Sequence, residues 1–505
     1  CAKHFAVHSG PESLRHEFNA EASAKDLTET YLPAFEALVK DAGVESVMGA
    51  YNRTNGDPCC ANPGLMERLR EEWGFEGHFV SDCWAIKDFH EGHHVTGSAV
   101  ESAALAINAG CDLNCGCSYC NLMQAVNLGL VKEEQVRRSA VRLFTTRYLL
   151  GIMEEPSEYD SIPFTAVGCE AHQRKADEAA LKSAVLLKND GLLPLDLTKI
   201  HTLGIIGPNA NSRRALMGNY HGTAQRYVTV QEGLQDALKG NARVLCSEGS
   251  HLWSDRTENL SQQPDDRLAE ALAVAENSDA VVLVLGLDET IEGEQGDTGN
   301  AYGSDDKLDL LLPGPQRRLA DAVLAVGKPT VILLLAGSAI DLAEAGEKAD
   351  AVLMGWYPGG EGGRAIADLL LGKVSPSGKL PVTFYRNSQL KEIPAFTDYS
   401  MAGRTYRYFA GDPLYPFGYG LTYGDVSVKA ARAESLDSGV QVTLTLQNTG
   451  AVDTEEVAQI YCQNEGSAWA PANPRLCGFQ RVFVPAGGEA DIRLGIDKAE
   501  HRDCA

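Results

Sequence analysis

The stretch "GHFVSDCWAIKDF", residues 77–89, has the pattern of an apolar strand that ends in a carboxylate. The apolar run begins at Gly77 and ends at Asp82, and Trp84 follows two residues later. Two interpretations are equally compatible with this pattern. Ser81 and Asp82 could both serve to cap the next helix, as such residues commonly do. Alternatively, Ser81 caps the helix while Asp82 faces a cleft beside the flat ring of Trp84, which indicates a catalytic carboxylate.

The strand-then-helix pattern continues on both sides of this stretch. Strands are predicted at 1–7 and in "VESVMGAYN", and helices at 26–43, 62–73 and 98–109, with further helices to about 150. Together with the short "CDLN" these make about four βα units, typical of a parallel sheet covered by helices. Because four units are half of an eight-stranded barrel and the chain starts on a strand, we expect residues 1–155 to be the C-terminal half of a (β/α)8 TIM-type barrel, with the N-terminal half missing.

Polar residues recur where these predicted strands end. The residues at these ends are Lys3–His4, Met48 with Tyr51–Asn52, Asp82 and Asp112. Since the chemistry of βα folds is carried at the carboxyl ends of the strands, the repetition predicts a site along one edge. For Lys3 and His4 a structural role is equally compatible, with a satisfied core histidine and a lysine whose charge reaches solvent.

The rest of the chain is predicted to form a second α/β domain, a linker and a β-sandwich. The second domain spans 156–395 and contains the strands "HTLGIIG", "ARVLCSEG", "DAVVLVLGL", "PTVILLLAG" and "AVLMGW". A linker rich in Pro, Tyr and Gly follows at 396–425. In 426–505 the segments "GVQVTLTLQNTG" and "EEVAQIYCQ" alternate apolar and polar residues, as sandwich strands do. Because this part is short, we expect the β-sandwich to be incomplete.

A long loop at 286–314 is the acidic feature of the second domain. Glu292, Glu294 and Asp297 lie in it, after an apolar strand. Such loops are often functional, so it is either a solvated or cation-binding loop or the source of a catalytic acid. "LGIIGPNAN" has one glycine where the dinucleotide motif has three, and Glu361 in "YPGGEGGRAIADLL" would repel a phosphate. Both are therefore interpreted as tight turns.

Composition excludes several classes of function. The formal net charge of −25 argues against nucleic acid and anionic membranes as partners, and no apolar run is long enough to cross a bilayer. A neutral, hydroxyl-rich ligand or a cationic one fits such a chain. Among the thirteen cysteines, those at 111, 115, 117 and 120 contain a single CxxC spacing. Buried thiols or a disulfide are therefore favoured over a metal site.

Four segments together resemble family 3 glycoside hydrolases. They are "KHFAVHSGPESLRHEFNA", "VMGAYNRTNGDPCCANPGLMERLREEWGFEGHFVSDCWAI", "PGGEGGRAIADLLLGKVSPSGKLPVTF" and "YPFGYGLTY". The resemblance implies a (β/α)8 barrel, an α/β sandwich domain and a fibronectin type III-like domain. This sequence departs from the SDW-like motif of the family by inserting Cys83 before Trp84. This SDC variant and "AGCDLNCG" are familiar in the β-xylosidase-like branch.

The resemblance also implies a site without metal or cofactor. Asp82 corresponds to the nucleophile of a retaining enzyme, and Glu294 aligns best with the acid/base, with Glu292 as a substitute. The residues that would line the sugar subsite are Lys3, His4, Arg15 and Tyr51, with Trp84 as a platform or wall. In retaining enzymes the two carboxyl groups are roughly 5–5.5 Å apart.

The expected activity is therefore retaining, exo-acting hydrolysis of terminal non-reducing β-D-xylosyl residues from xylo-oligosaccharides. A β-glucosidase acting on β-glucosides or cello-oligosaccharides is the alternative. A different class of explanation is an inactive fragment or one piece of a split protein. The expected partners are an oligosaccharide or aryl-glycoside substrate, with a homodimer as an option. No N-terminal signal segment is visible in this chain, and the resemblance favours a secreted or periplasmic protein.

Overall fold

The computed structural model describes residues 1–8, 10–153, 156–254, 266–294 and 306–497. Asp297, the middle of the 286–314 loop (residues 295–305) and the end of the predicted β-sandwich lie outside the described residues. Two compact units are formed. Unit 1 contains Cys1–Phe164 together with Pro394–Ala402, and unit 2 contains Thr165–Ile393 and the chain from Gly403. Within the described part of the chain, no helix combines the length and apolarity needed to cross a membrane.

Unit 1 is built around a parallel sheet. Its strands are β1 (Ala2–Phe5), β2 (Asn19–Ala20), β3 (Ser46–Gly49), β4 (Arg53–Thr54), β5 (Asp57–Pro58) and β6 (His78–Ser81). The parallel sheet has the order β1-β3-β6, and a small sheet has the order β2-β4-β5. The helices are α1 (Ala24–Asp26), α2 (Pro33–Lys40), α3 (Pro63–Glu67), α4 (Ala85–Glu91), α5 (Ala99–Ala109), α6 (Leu122–Asn127) and α7 (Glu133–Leu149), with wider turns at Leu27–Tyr31 and Arg68–Glu72.

The predicted strands of unit 1 are confirmed as β1, β3 and β6, but the fourth is reduced to one parallel bridge between Val80 and Leu113. The predicted helix 26–43 is divided, and α2 begins at Pro33, a residue that has no amide proton to donate to the preceding turn. Helix α4 was not predicted, because its seven residues are too few to show a clear helical period.

Aromatic side chains hold the parallel sheet against its helices. Phe5 of β1 is fully buried, and its ring packs edge-on against Phe35, Trp73 and Phe79 at centroid distances of 5.1, 6.0 and 6.4 Å. Such edge-to-face contacts are favourable beyond the apolar area that they bury. The carboxyl ends of β1 and β6 are therefore fixed by one aromatic core.

Unit 2 contains a six-stranded sheet with the order β7-β12-β11-β10-β8-β9. Its strands are β7 (Val185–Asn189), β8 (Thr202–Ile206), β9 (Arg243–Ser247), β10 (Ala280–Gly286), β11 (Thr330–Leu335) and β12 (Ala351–Met354). The helices are α8 (Glu170–Ser183), α9 (Val230–Leu238), α10 (Asp266–Glu276), α11 (Gly314–Ala325), α12 (Glu344–Lys348), α13 (Gly362–Leu370) and α14 (Thr405–Tyr408). Strand β7 is antiparallel to β12, and the other pairs are parallel.

The five strands predicted for the second domain are confirmed as β8 to β12. Every residue of β10, β11 and β12 is buried, as expected for parallel strands covered on both faces. Strand β7 was not predicted, because a short apolar run does not by itself distinguish a strand from a buried helix. The tight turn predicted after β8 is explained by Gly207, where an added Cβ would lie 2.0 Å from the carbonyl oxygen of Val284.

The last strands of unit 2 are antiparallel. They are β13 (Val426–Leu436), β14 (Gly439–Asn448), β15 (Thr454–Cys462), β16 (Arg475–Val484) and β17 (Glu489–Asp497). One sheet has the order β13-β14-β17 and the other pairs β15 with β16. Their shared core contains Leu444, Leu446, Ala458, Val484 and Ile492. The period-two pattern thus predicted β14 and β15 correctly.

Candidate active site

Asp82 lies directly after β6, and only 7% of its surface is exposed. The amide of Cys83 donates a 2.8 Å hydrogen bond to its Oδ1. Its Oδ2 lies 3.3 Å from Nε2 of His4, in β1. Since β1 and β6 are separated by β3, the carboxylate and the imidazole meet across the carboxyl edge of the parallel sheet. The predicted convergence of Asp82 and His4 is therefore observed.

The turn that carries Asp82 is fastened to a second segment of the chain. The Cys115 amide donates to Oγ of Ser81 at 3.0 Å, and the Trp84 amide donates to the Cys115 carbonyl at 2.8 Å. Cys83 forms a disulfide with Cys115. The prediction that Ser81 caps the next helix is wrong, because its hydroxyl is used by this second segment. Helix α4 instead follows Trp84, a half-exposed residue with φ of 68° and no side-chain cap.

The four cysteines at 111–120 do not form a metal cluster. Cys115 is disulfide-bonded to Cys83, which lies 32 residues earlier and outside that group. Cys111 is buried and its thiol donates to the Leu113 carbonyl, whereas Cys117 and Cys120 are exposed free thiols. The preference for a disulfide is therefore confirmed, with a partner that the spacing did not indicate.

Cationic and imidazole groups surround His4. The His8 ring stacks on the His4 ring at a centroid distance of 4.4 Å, and Lys3 is exposed. Desolvation, followed by the charges of His4, Arg15 and Lys3, lowers the pKa of His8 to about 4. His8 is therefore neutral near pH 7. It was not singled out from the sequence, although it lies only four residues after His4.

His4, His8 and Asp82 are the one group that could hold a metal ion within the described residues, with ligand atoms that all lie within 4.8 Å of one another. Two observations argue against a cation here. The two imidazoles stack face to face rather than converging, and Lys3 and Arg15 are close enough to affect His8 electrostatically. The chemistry of the donor set therefore fits a polar organic ligand better than a metal ion.

Arg15 and Tyr51, both predicted to line the sugar subsite, are in contact with each other. The Arg15 guanidinium lies 5.0 Å from the centroid of the Tyr51 ring and forms a 2.9 Å ion pair with Glu12. His16 packs edge-on against Tyr51 at 4.8 Å and is paired with Asp88 at 2.9 Å. These contacts fix the Tyr51 ring between a guanidinium group and an imidazole.

Tyr399 reaches this region from a distant part of the sequence. The Gly10 amide donates to its hydroxyl at 2.6 Å, and that hydroxyl donates to the His8 carbonyl at 3.2 Å. Tyr31 in turn donates to the Tyr399 carbonyl at 2.8 Å. The loop after β1 is thus held by a residue 389 positions away from Gly10, and no local sequence pattern could have predicted this contact.

Asp112, which was grouped with the polar strand ends, has a structural role. Its side chain is fully buried, and its Oδ2 accepts hydrogen bonds from the Phe79 amide at 2.9 Å and from Arg70 at 2.8 Å. Its Oδ1 lies 3.3 Å from Arg142. The carboxylate therefore neutralises two guanidinium groups instead of facing the site.

The second predicted carboxylate lies in unit 2, in the segment after β10. Glu292 accepts a 2.7 Å hydrogen bond from the Gly337 amide and further hydrogen bonds from the hydroxyls of Ser338 and Tyr357. Glu294 is half-buried and follows two residues later. Of the two glutamates that the sequence left as alternatives, Glu292 is thus committed to three donors.

Comparisons with known proteins identify the family of this chain. The model of the glycosyl hydrolase family 3 N terminal domain matches residues 1–146, and that of the family 3 C-terminal domain matches residues 184–423. A xylan 1,4-beta-xylosidase from Xylanibacter ruminicola is 32% identical over 99% of this chain and 74% of its own length. A periplasmic beta-glucosidase from Salmonella typhimurium is 32% identical over 98% of this chain and 68% of its own.

A solved structure is similar over nearly the whole chain. It is a family 3 exo-beta-xylosidase in complex with a xylobiose aziridine activity-based probe, with a TM-score of 0.89 and 28% sequence identity. The similarity covers 99% of this chain and 67% of that structure. Its α/β architecture is that expected from the sequence.

Proposed function

Because the chain belongs to glycosyl hydrolase family 3 and is therefore an O-glycosyl hydrolase, we propose that it is a retaining, exo-acting β-xylosidase. Its substrates would be xylo-oligosaccharides with a terminal non-reducing β-D-xylosyl residue. The observation that carries the proposal is the Asp82 carboxylate, largely buried at the end of β6 and in contact with His4.

Asp82 is proposed as the nucleophile. Its Oδ1 is occupied by the Cys83 amide, while its Oδ2 faces His4. Attack of the carboxylate on the anomeric carbon would break the glycosidic bond and form a glycosyl ester, as the leaving oxygen takes a proton from the acid. Water would then attack the ester, give its proton to the same residue and release the sugar, so that Asp82 returns to its carboxylate form.

Glu294 is proposed as the acid/base in preference to Glu292. An acid that protonates the leaving group must begin the reaction protonated. The oxygens of Glu292 are already engaged by three donors within unit 2. Glu292 is therefore less available to contact a leaving group.

Lys3, His4, Arg15, Tyr51 and Trp84 are proposed to bind the sugar. Lysine, arginine and protonated histidine donate hydrogen bonds to hydroxyl groups, and the flat face of an exposed indole suits the apolar face of a pyranose. The xylosidase names among the relatives support xylose as the substrate, and the Salmonella glucosidase supports β-glucosides as the second candidate.

The architecture proposed for this enzyme follows the strand order. We propose that the parallel strands β1, β3 and β6 are an arc of a (β/α)8 barrel, since each is followed by helical segments. The antiparallel strands β13 to β17 are proposed to form a fibronectin type III-like sandwich, because they pack two sheets over one core. The domain boundaries at 155, 395 and 425 stay predictions.

The proposal is tested by the rates at which the chain hydrolyses 4-nitrophenyl β-D-xyloside and β-D-glucoside. We expect a higher kcat/KM for the xyloside, and a loss of at least about a thousandfold in Asp82→Asn, on the scale of catalytic-residue deletions. A 2-fluoro-xylosyl substrate should label the peptide that contains Asp82. The matched control is Asp41→Asn, an exposed carboxylate at the end of α2.

Each outcome decides between the alternatives. Faster glucoside hydrolysis would replace the xylosidase with the glucosidase. No hydrolysis of either glycoside by a folded sample would contradict the proposal and favour the inactive fragment or split protein. Labelling of another carboxylate would overturn the assignment of Asp82.

A further inference from the structure

We propose that Glu292 is a positioning residue, which fastens the segment that carries Glu294 to the ends of two neighbouring strands. The inference deepens the proposed function and rests on Glu294 as the acid/base. It replaces the substitute role that the sequence allowed for Glu292 with a different one. All of the contacts that carry it lie within unit 2.

The segment before Glu292 is a compact turn. The Leu287 amide continues the pairing with β11 by donating to the Leu335 carbonyl at 2.8 Å. Asp288 accepts hydrogen bonds from the amide and hydroxyl of Thr290 at 2.9 and 2.5 Å, and its carbonyl accepts from the Glu292 amide at 2.9 Å. With Ile291 in the core, the backbone is therefore fixed up to residue 292.

The Glu292 carboxylate then extends this order to the adjacent strands. Gly337 and Ser338 follow β11, and Tyr357 follows β12. In the sheet these strands are consecutive neighbours of β10, in the order β12-β11-β10. The Glu292 side chain thus connects the C-terminal ends of three adjacent strands. Such extensive contacts indicate a specific role for Glu292 in the loop.

The groups around Glu292 are arranged to contact its side chain closely. Burial and then the negative charge of Glu292 raise the pKa of Tyr357 well above its usual range, so the phenol remains a donor. Lys307 is also close enough for its charge to interact with Glu292. At Gly337 an added Cβ would lie 3.1 Å from the Tyr357 ring and 3.3 Å from Oε2 of Glu292, so glycine permits the close approach of the amide.

Only Gly293 separates this anchor from Glu294. Glycine has more accessible backbone conformations than any other residue, so it adds little restraint of its own. The position of Glu294 therefore depends in part on Glu292. Displacement of a catalytic group by about 1 Å can cost roughly a hundredfold in rate, which makes such an anchor consequential.

The test compares Glu292→Gln with Glu294→Ala on xylosides that differ in the leaving group. A 2,4-dinitrophenyl group departs without protonation, whereas a phenyl group needs the acid. We expect Glu292→Gln to lower kcat/KM for the phenyl xyloside by about tenfold to a hundredfold and to leave the dinitrophenyl xyloside within about threefold. Tyr357→Phe, which keeps the ring, should show a smaller effect of the same kind. Glu344→Gln on the exposed α12 is the control.

Azide separates positioning from catalysis. We expect azide to restore turnover of the dinitrophenyl xyloside in Glu294→Ala and to yield a glycosyl azide, because it fills the space of the missing side chain. It should not do so in Glu292→Gln. A glycosyl azide from a Glu292 variant but not from Glu294→Ala would make Glu292 the acid/base and overturn the inference. If neither shows the effect, the proposed acid/base assignment is contradicted as well.

Hydrogen exchange gives a readout that is independent of turnover. Glu292→Gln should accelerate amide exchange in the peptide that covers 287–294. The exchange rates of peptides from β11 and β12 should change little, and so should the melting temperature. Equal losses on both xylosides with unchanged exchange in 287–294 would contradict the positioning role. If Glu292→Gln has wild-type kinetics while Glu294→Ala behaves as an acid/base variant, the positioning role of Glu292 is contradicted and the assignment of Glu294 stands.

Discussion

Cys83 forms a disulfide with Cys115, and its backbone amide donates a 2.8 Å hydrogen bond to the carboxylate of Asp82. The covalent cross-link and the hydrogen bond to the proposed nucleophile therefore belong to the same residue. Two further hydrogen bonds, from Cys115 to Ser81 and from Trp84 to Cys115, join the same segments. The orientation of Asp82 depends on a segment 32 residues away.

Removal of the disulfide should lower both stability and kcat. For Cys83→Ser, Cys115→Ser and the double variant, we expect the free energy of unfolding to fall by about 2–4 kcal/mol, because the unfolded chain regains its freedom. We expect kcat to fall more than KM rises, since the turn at Asp82 loosens. Denaturant titrations and initial rates measure the two effects. Cys117→Ser, which removes an exposed free thiol, is the control. Alkylation of Cys83 in the denatured, unreduced protein would contradict the cross-link.

Tyr399→Phe should weaken the loop after β1. The substitution leaves the Gly10 amide without the acceptor that it uses and removes a donor to the His8 carbonyl. We expect a loss of about 1–2 kcal/mol in the free energy of unfolding and a rise in KM for the xyloside, because His8, whose ring stacks on His4, lies on this loop. Thermal denaturation and steady-state kinetics provide the measurement. The exposed Tyr159→Phe should change neither, and equal effects in both variants would refute the role given to Tyr399.

His93 should make the protein less stable at acidic pH. Its side chain is 5% exposed and stacks on Phe89, and burial, followed by the charges of Arg53, His16 and His94, lowers its pKa from 6.5 to about 4. Between pH 6.5 and 4 the unfolded chain binds a proton at this residue and the folded chain does not. Stability therefore falls as the pH decreases through this window, by about 2 kcal/mol at pH 5.

The measurement is the free energy of unfolding at pH 7.5 and pH 5 for the wild type and His93→Phe. Other groups titrate in the same range, so the difference between the two proteins isolates His93. The pH dependence should be weaker in His93→Phe and unchanged in His172→Gln, which alters an exposed histidine that is not among the groups acting on His93. Identical slopes in wild type and His93→Phe would show that His93 does not contribute.

Asp112→Asn should destabilise unit 1 without acting on the chemistry directly. The substitution removes the negative charge that pairs with the guanidinium groups of both Arg70 and Arg142. Breaking a buried ion pair on one side costs about 3–5 kcal/mol, because a buried charge remains uncompensated. Denaturant titration measures this loss, and Glu91→Gln, which removes an exposed ion pair with Lys87, should cost less than about 1 kcal/mol. An unchanged midpoint in Asp112→Asn would be incompatible with the buried contacts.

The sequence predicted those parts of the fold whose signal is local. The apolar runs of β8 to β12 and the alternation in β14 and β15 report burial directly, so these strands were found. The apolar run of β7 has the same composition as a buried helix, and its antiparallel pairing with β12 depends on a partner about 165 positions later. Pairings of that kind leave no pattern in the strand itself.

The same distinction applies to the candidate site. The contact of His4 with Asp82 followed from the rule that strand ends share one edge. The rule could not separate Asp82 from Asp112, because a strand-end carboxylate can turn toward buried arginines as easily as toward the cleft. The cysteine pairing was equally out of reach, since both cysteines were visible but thirteen thiols allow many combinations.

The return of Pro394–Ala402 to unit 1 gives the chain the topology of an insertion. The backbone leaves unit 1 after Phe164 and comes back 229 residues later, so one proteolytic cut cannot release that unit whole. An expressed 1–164 fragment would carry Gly10, Tyr31 and Phe18 but lack the tyrosine that they contact. A synthetic peptide of residues 394–402 would supply the missing tyrosine and is therefore the natural candidate for complementing that fragment.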